Sequence, residues 1–177
     1  MTEIPVIKIF IAGPGSVGKT TMVERYVTGI FNPKMILTIG VNHAVKTVKT
    51  SNGRECTLQI WDLGGEERFR FFLEGYIKGS TAGIAAFDLS VFSTYDDLRD
   101  WLILIRKTLP DIPLLLVGMK SDLKKAQKDV SLYQSYLKEF HLTEIIFASS
   151  KTGENIERIF QKLADFLPKE PLYFRTV

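Results

Sequence analysis

The sequence predicts an α/β sandwich built on a mostly parallel sheet. Three observations predict it. Apolar strand-like segments alternate with amphipathic helical ones along 177 residues, the pattern of strands joined by crossover helices. A glycine-rich stretch, Gly13–Thr20, stands between the first strand and the first helix. Ser51-Asn52-Gly53 separates two strand-like runs by a tight turn, so that pair runs antiparallel.

The elements follow in order. Ile4–Ala12 is an apolar, β-branched run and reads as a strand, and Lys19–Thr28 continues past the glycines as a helix. Val41–Thr50 and Glu55–Trp61 are the strands flanking the turn. A short helix is expected near Phe71–Lys78, followed by a strand over Ala82–Leu89. Tyr95–Leu109 carries Leu98, Trp101, Leu102, Ile105 and Leu109 as one helical stripe. Pro113–Val117 is the next strand, Val130–Glu139 a helix and Glu144–Phe147 the last strand. In Asn155–Leu167 the residues Ile156, Ile159, Phe160, Leu163, Phe166 and Leu167 share one face, and Pro168 stops the helix. Both stripes read as core packing against the sheet. Four segments are neither clean strand nor clean helix: Gly29–Gly40, Asp62–Arg70, Gly118–Lys124 and Ser149–Gly153. Three of them follow a strand, and ligands in open α/β sheets sit beyond the carboxyl ends of strands. These loops are expected to gather at one rim with the glycine-rich stretch.

Composition narrows the classes. A chain of 177 residues suits one domain, and 45% apolar content excludes disorder. The longest apolar runs, such as Leu114–Val117, are too short to span a bilayer. The amino terminus shows no secretory pattern. Cys56 is the single cysteine, which excludes an internal disulfide and fits a reducing compartment. A net charge of +3 specifies no polyanionic partner. Lys120, Lys124, Lys125 and Lys128 are interleaved with Asp122 and Asp129 and read as a solvated face, with no nucleic-acid patch. His43 and His141 have no partner at metal-ligand spacing and read as ordinary residues.

The chemistry begins at Gly13-Pro14-Gly15-Ser16-Val17-Gly18-Lys19-Thr20. This fits the phosphate-binding loop of nucleoside triphosphatases, in which successive backbone N–H groups and a helix N-terminus cradle an anion. Gly13, Gly15 and Gly18 permit close main-chain approach. Lys19 has the reach for the β- and γ-phosphates, and the Thr20 hydroxyl suits Mg²⁺. Asp62, at the end of a strand, suits the same ion through its water shell, and Gly65 offers a bare N–H to a γ-phosphate. In Gly118-Met119-Lys120-Ser121-Asp122 a carboxylate stands where it accepts from N1–H and the exocyclic amine of guanine; Lys-x-Asp alone reads better as a solvated loop. Ser149-Ser150-Lys151 follows the last strand and approaches the base from the other side.

Together these residues resemble the Ras-like small GTPases, most closely the Rab type. Gly13–Thr20 is similar to the family's phosphate loop, Asp62-Leu63-Gly64-Gly65 to its Asp-x-x-Gly, Met119–Asp122 to its Asn-Lys-x-Asp and Ser149–Lys151 to its Ser-Ala-Lys. Thr38 stands where the switch threonine ligates Mg²⁺, and Phe31 where an aromatic residue packs on guanine. Glu67-Arg68-Phe69 resembles the Rab second switch, while Leu63-Gly64-Gly65 is nearer the Arf pattern. The resemblance implies a six-stranded, five-helix G domain that binds GTP or GDP with Mg²⁺ and acts as a switch in signalling or vesicle traffic. It implies nucleotide contacts from Gly15, Ser16, Val17, Gly18, Lys19, Thr20, Thr21, Phe31, Thr38, Gly65, Met119, Lys120, Asp122, Ser149, Ser150 and Lys151, and a metal held by Thr20, Thr38 and Asp62. Catalysis would rest on Lys19, Gly65 and residue 66. Segments 29–40 and 62–78 become switches that relax when hydrolysis removes γ-phosphate contacts to Thr38 and Gly65. Effectors, exchange factors and activating proteins are the implied partners of a monomeric, cytoplasmic protein that meets membranes through them.

The pattern breaks at defined places. Glu66 replaces the glutamine that orients the attacking water. An ionised glutamate only accepts hydrogen bonds and places negative charge beside a phosphate, which predicts slow turnover. A nearby triphosphate favours its protonated form, which donates. Met119 replaces an asparagine with a thioether, a weak acceptor and no donor, which predicts weaker affinity and faster exchange. Pro14 lacks an N–H, so either that amide is unused or one phosphate contact is lost. The terminal Tyr173-Phe174-Arg175-Thr176-Val177 has no cysteine for prenylation, and Thr2 excludes N-myristoylation, so no lipid anchor is expected. Phe69, Phe71, Phe72 and Tyr76 stand open between core and effector surface. Three functions compete: a GTP-hydrolysing switch, a non-catalytic nucleotide-binding module of the same fold, and a P-loop kinase. The kinase leaves Lys120–Asp122 and Ser149–Lys151 unexplained and has no arginine-rich lid.

Overall fold

Strand β1 (Val6–Ala12) occupies the middle of a six-stranded sheet in the computed structural model, which describes residues 4–34 and 37–168 and, at 68 and 69, the backbone only. The neighbouring strands are β2 (Val41–Lys49), β3 (Glu55–Leu63), β4 (Ala82–Asp88), β5 (Leu114–Met119) and β6 (Ile145–Ala148), in the order β2-β3-β1-β4-β5-β6. All pairs are parallel except β2 with β3. That exception comes from the predicted turn: Thr50 N–H donates to the Arg54 carbonyl at 2.8 Å and closes the hairpin. The expected α/β sandwich with one antiparallel strand is the fold observed.

Helices cover both faces. On one side α1 (Lys19–Thr28) and α5 (Ile156–Asp165) close a core built from Ile7, Ile9, Ile11, Leu58, Ile84, Val117 and their neighbours. Tyr26 of α1 stacks on Phe160 of α5 with ring centres 3.8 Å apart, an aromatic contact that adds about 1 kcal/mol beyond its buried area. On the other side α2 (Leu73–Ile77), α3 (Ser93–Thr108) and α4 (Gln134–Glu139) pack on Phe10, Phe87, Leu114 and Leu116. Both predicted stripes, on α3 and α5, face these cores. Cys56 is buried in β3.

Several boundaries differ from expectation for physical reasons. The helix expected over Phe71–Lys78 is a 3₁₀ segment, Glu67–Phe72, running into the short α2. The helix expected over Val130–Glu139 splits likewise, because the Asp129 side chain accepts from Ser131 N–H at 2.9 Å and Tyr133 turns inward to donate to the Gln127 carbonyl at 2.6 Å. Strand β3 runs on to Leu63 because Val41 pairs with it. Strand β5 runs on to Met119, paired to Asp88 and Ala148 on either side. Met119, expected in a loop, is therefore a buried strand residue, 1% exposed. The chain after Pro168, with its expected lack of a lipid anchor, and residues 35 and 36 of the first switch lie outside the described residues.

Candidate functional site

The parallel strands β1, β3, β4, β5 and β6 end at one rim, and the predicted loops meet there around a cavity of about 420 Å³. Gly15, Ser16, Val17, Gly18, Lys19, Thr20 and Thr21 line its floor at the start of α1. Gly13 pins the loop beneath: its φ is +140°, and a Cβ there would lie 2.1 Å from the Ala86 carbonyl oxygen. Only a glycine lets the loop sit so close to β4.

Lys19 is 6% exposed and donates to the Gly13 and Pro14 carbonyls, both at 2.8 Å. Burial brings its ammonium down to about 8, against the pull of the Asp62 carboxylate. Pro14 lacks an N–H for a phosphate, and its carbonyl accepts from Lys19. Thr20 Oγ1 donates to Asp62 Oδ2 at 2.5 Å and lies 2.6 Å from Thr38 Oγ1. Burial raises the Asp62 carboxyl, although hydrogen bonds from Thr20 and Thr38 and the Lys19 charge oppose it. Asp62 Oδ1 is buried and has no hydrogen-bond partner among the described residues. One carboxylate oxygen in need of a partner, beside two hydroxyls, is a hard oxygen set suited to Mg²⁺, which completes its shell with water and phosphate. Among the described residues no group of three or more His, Cys, Asp or Glu forms an all-protein metal cage.

Gly65 also lines the cavity and lies against the phosphate loop; a Cβ on it would fall 2.4 Å from Gly15 N. Its glycine is required for that approach as well as for a free N–H. The Gly64 N–H donates to the Gly40 carbonyl at 2.7 Å, tying the second loop to the first. Glu66 is half-buried at the start of the 3₁₀ segment and is not among the cavity-lining residues.

The other end of the cavity is lined by Phe31, Met119, Lys120, Asp122, Ser150 and Lys151. Ser149 is not part of the lining. It is fully buried and donates to Asp122 Oδ1 at 2.6 Å, so it acts on the aspartate from behind. Asn32, Pro33, Leu37, Leu63 and Leu123 line the cavity without having been expected to. Only their adjacency to Phe31, Thr38, Asp62 and Asp122 in the chain signalled them.

Beyond the cavity, Phe71 is 89% and Ile39 75% exposed, and Phe72 is exposed with them. Tyr76 is half-buried, with its ring 6.3 Å from that of Trp61. His43, expected to be an ordinary strand residue, sits edge-on to Trp61 at 4.2 Å. The Phe69 side chain lies outside the described residues.

Comparison with known proteins decides the family. The model described as Ras family matches residues 8–169, nearly the whole chain. The chain belongs to the Ras family. It is 32% identical over 166 residues to Ras-related protein SEC4 of Saccharomyces cerevisiae, spanning 93% of this chain and 76% of that protein. It is 35% identical over 170 residues to Ras-related protein Rab-12 of Homo sapiens, spanning 94% and 69%. Ras-related protein Rab-30 of Homo sapiens is 35% identical over 161 residues, spanning 89% and 77%. This Ras-family chain is a GTP-binding molecular switch whose relatives include many Rab proteins. Ras-family GTPases bind guanine nucleotide and Mg²⁺, hydrolyse GTP and work with exchange, activating and effector proteins. Among the described residues no helix is long and apolar enough to cross a membrane.

Proposed function

We propose that the cavity holds GTP or GDP with Mg²⁺ in a single, monomeric G domain, and that GTP turns over slowly in it. The observation that carries this reading is that the Thr20 hydroxyl is within hydrogen-bond distance of both Thr38 and Asp62, and that the Lys19 ammonium feels the Asp62 charge. Lys19, Thr20 and Thr38 line the same cavity as Asp122 and Lys151, and Asp62 stands behind Thr20.

Each residue then has a task. Main-chain N–H groups of Gly15–Thr20 cradle the phosphates, and Lys19 moves from the Gly13 and Pro14 carbonyls onto the β- and γ-phosphates. Thr20, Thr38 and Asp62 would hold Mg²⁺. The ion, when bound, would supply positive charge against that developing on the phosphate oxygens. Gly65 offers its N–H to the γ-phosphate. Asp122, oriented by Ser149, accepts from guanine, with Phe31, Ser150 and Lys151 around the base. Glu66 reaches the attacking water only after the second switch rearranges, and an acceptor without a donor then orients it poorly. The exposed Phe71, Phe72 and Ile39, beside switches that respond to the γ-phosphate, form the surface a partner reads. The protein works in the cytoplasm, at membranes through such partners, and in vesicle traffic.

Glu66 and Met119 favour a second reading, a nucleotide-binding module that no longer turns over. Identifying the nucleotide that copurifies, then following phosphate release from GTP and Mg²⁺ over many turnovers, separates the two. Release above the spontaneous rate supports the switch. Bound guanine nucleotide without release, with or without candidate activators, supports the module. Absence of guanine nucleotide overturns both.

A further inference from the structure

The Lys120 ammonium donates to the Ser16 carbonyl of the phosphate loop at 3.0 Å and pairs with Asp88 Oδ2 at 2.6 Å. Ser16 and Lys120 both line the cavity, whereas Asp88 does not. Asp88 ends β4, opposite Met119 in the register with β5, and is 3% exposed. Its second oxygen accepts from Ser90 N–H at 2.8 Å and from Ser90 Oγ at 2.7 Å. The carboxylate is therefore held from behind while its free edge faces the ammonium. Ser16 and Lys120 share another property: each has positive φ, 63° and 62°, although neither is glycine. Such residues persist only where their surroundings over-determine them. Met119 contributes little to this junction, because a thioether neither donates nor accepts strongly. The Lys120 side chain is 39% exposed and flexible, so without Asp88 the Ser16 carbonyl alone competes with water for it.

We propose that Asp88 is a positioning residue. It holds Lys120 on the Ser16 carbonyl, staples the base end of the cavity to the phosphate loop, and so sets how long a nucleotide stays bound. This rests on reading the cavity as a guanine-nucleotide site. In this chain the link between the two ends passes through a buried aspartate on a third strand.

The test uses the full chain loaded with a fluorescent GDP analogue and Mg²⁺, and follows dissociation after excess GDP is added. Asp88→Asn keeps the shape and removes the charge, and release is expected to quicken about tenfold, the weight of one charge-assisted hydrogen bond. Lys120→Ala is expected to quicken release at least as much. The double variant is expected to match Lys120→Ala alone, since Asp88 acts only through that ammonium. A merely structural role would instead multiply the two effects, and that result overturns the proposal, as does an unchanged rate in Asp88→Asn. Should Asp88→Asn fold poorly, Ser90→Ala frees the carboxylate but keeps its charge. It must speed release when Lys120 is present and leave it unchanged when Lys120 is alanine; any other pattern overturns the proposal. A wild-type chain that retains no guanine nucleotide overturns the functional reading itself, a result distinct from normal retention with an insensitive Asp88.

Discussion

At the phosphate end of the cavity the recognition surface is main chain and hydroxyl: the Gly13–Thr20 loop, Lys19 resting on two carbonyls, and Thr20 bonded to Asp62 and Thr38. At the base end it is side chain: Asp122 backed by Ser149, Lys120 braced by Asp88, and Met119 in a strand. A backbone cradle depends on the path of the chain, and the loop keeps that path with Pro14 in it: Gly13 lies against Ala86 and Gly15 against Gly65. A side-chain cradle depends on the identity of each group, so one replacement such as Met119 removes a function outright. Departures from the family pattern should therefore be felt most in base affinity and exchange, and least in phosphate capture.

The sharpest way to break that contrast is Asp122→Asn. It should reverse base selectivity by roughly 10⁴-fold, from guanine toward xanthine nucleotide, because a site built to accept from N1–H is left mispaired. Competition titration with GDP and xanthosine diphosphate reads it, and undiminished GDP affinity would remove Asp122 from base recognition. Lys19→Ala should weaken GTP roughly a hundredfold by deleting a buried ammonium from the phosphates; equal binding by calorimetry would sink the phosphate assignment. Glu66→Gln should raise single-turnover hydrolysis by roughly ten- to a hundredfold, restoring a donor toward the phosphoryl group. No gain there would show that Glu66 does not limit the rate.

Met119→Asn sharpens the base end from the other side. Restored amide hydrogen bonds should slow GDP release about fivefold, measured by fluorescence decay. The smallest expected effect is on acid stability. Burial works to raise the Asp88 carboxyl, but Lys120 and the Ser90 donors outweigh it and hold it below its ordinary value. A carboxyl depressed in the folded state contributes stability that is complete above its unfolded value and is lost as pH falls through its folded one. The melting-temperature gap between wild type and Asp88→Asn should therefore be widest near neutral pH and close as pH falls below the carboxylate range. A gap independent of pH would deny the ion pair any such role.

Local physics was legible in the chain. Alternating apolar runs placed all six strands, the Ser51–Gly53 turn set the antiparallel pair, and the spacing in Gly13–Thr20 announced a phosphate loop, because each of these signals is carried by neighbouring residues. What no stretch of sequence carried was which side chains, far apart in the chain, press on or brace one another. Tertiary contact alone decided that Met119 is a strand residue, that Ser149 serves Asp122 from behind, that Gly65 must press on Gly15, and that Asp88 braces Lys120 against Ser16. Each joins segments that meet only when parallel strands bring their carboxyl ends to a single rim.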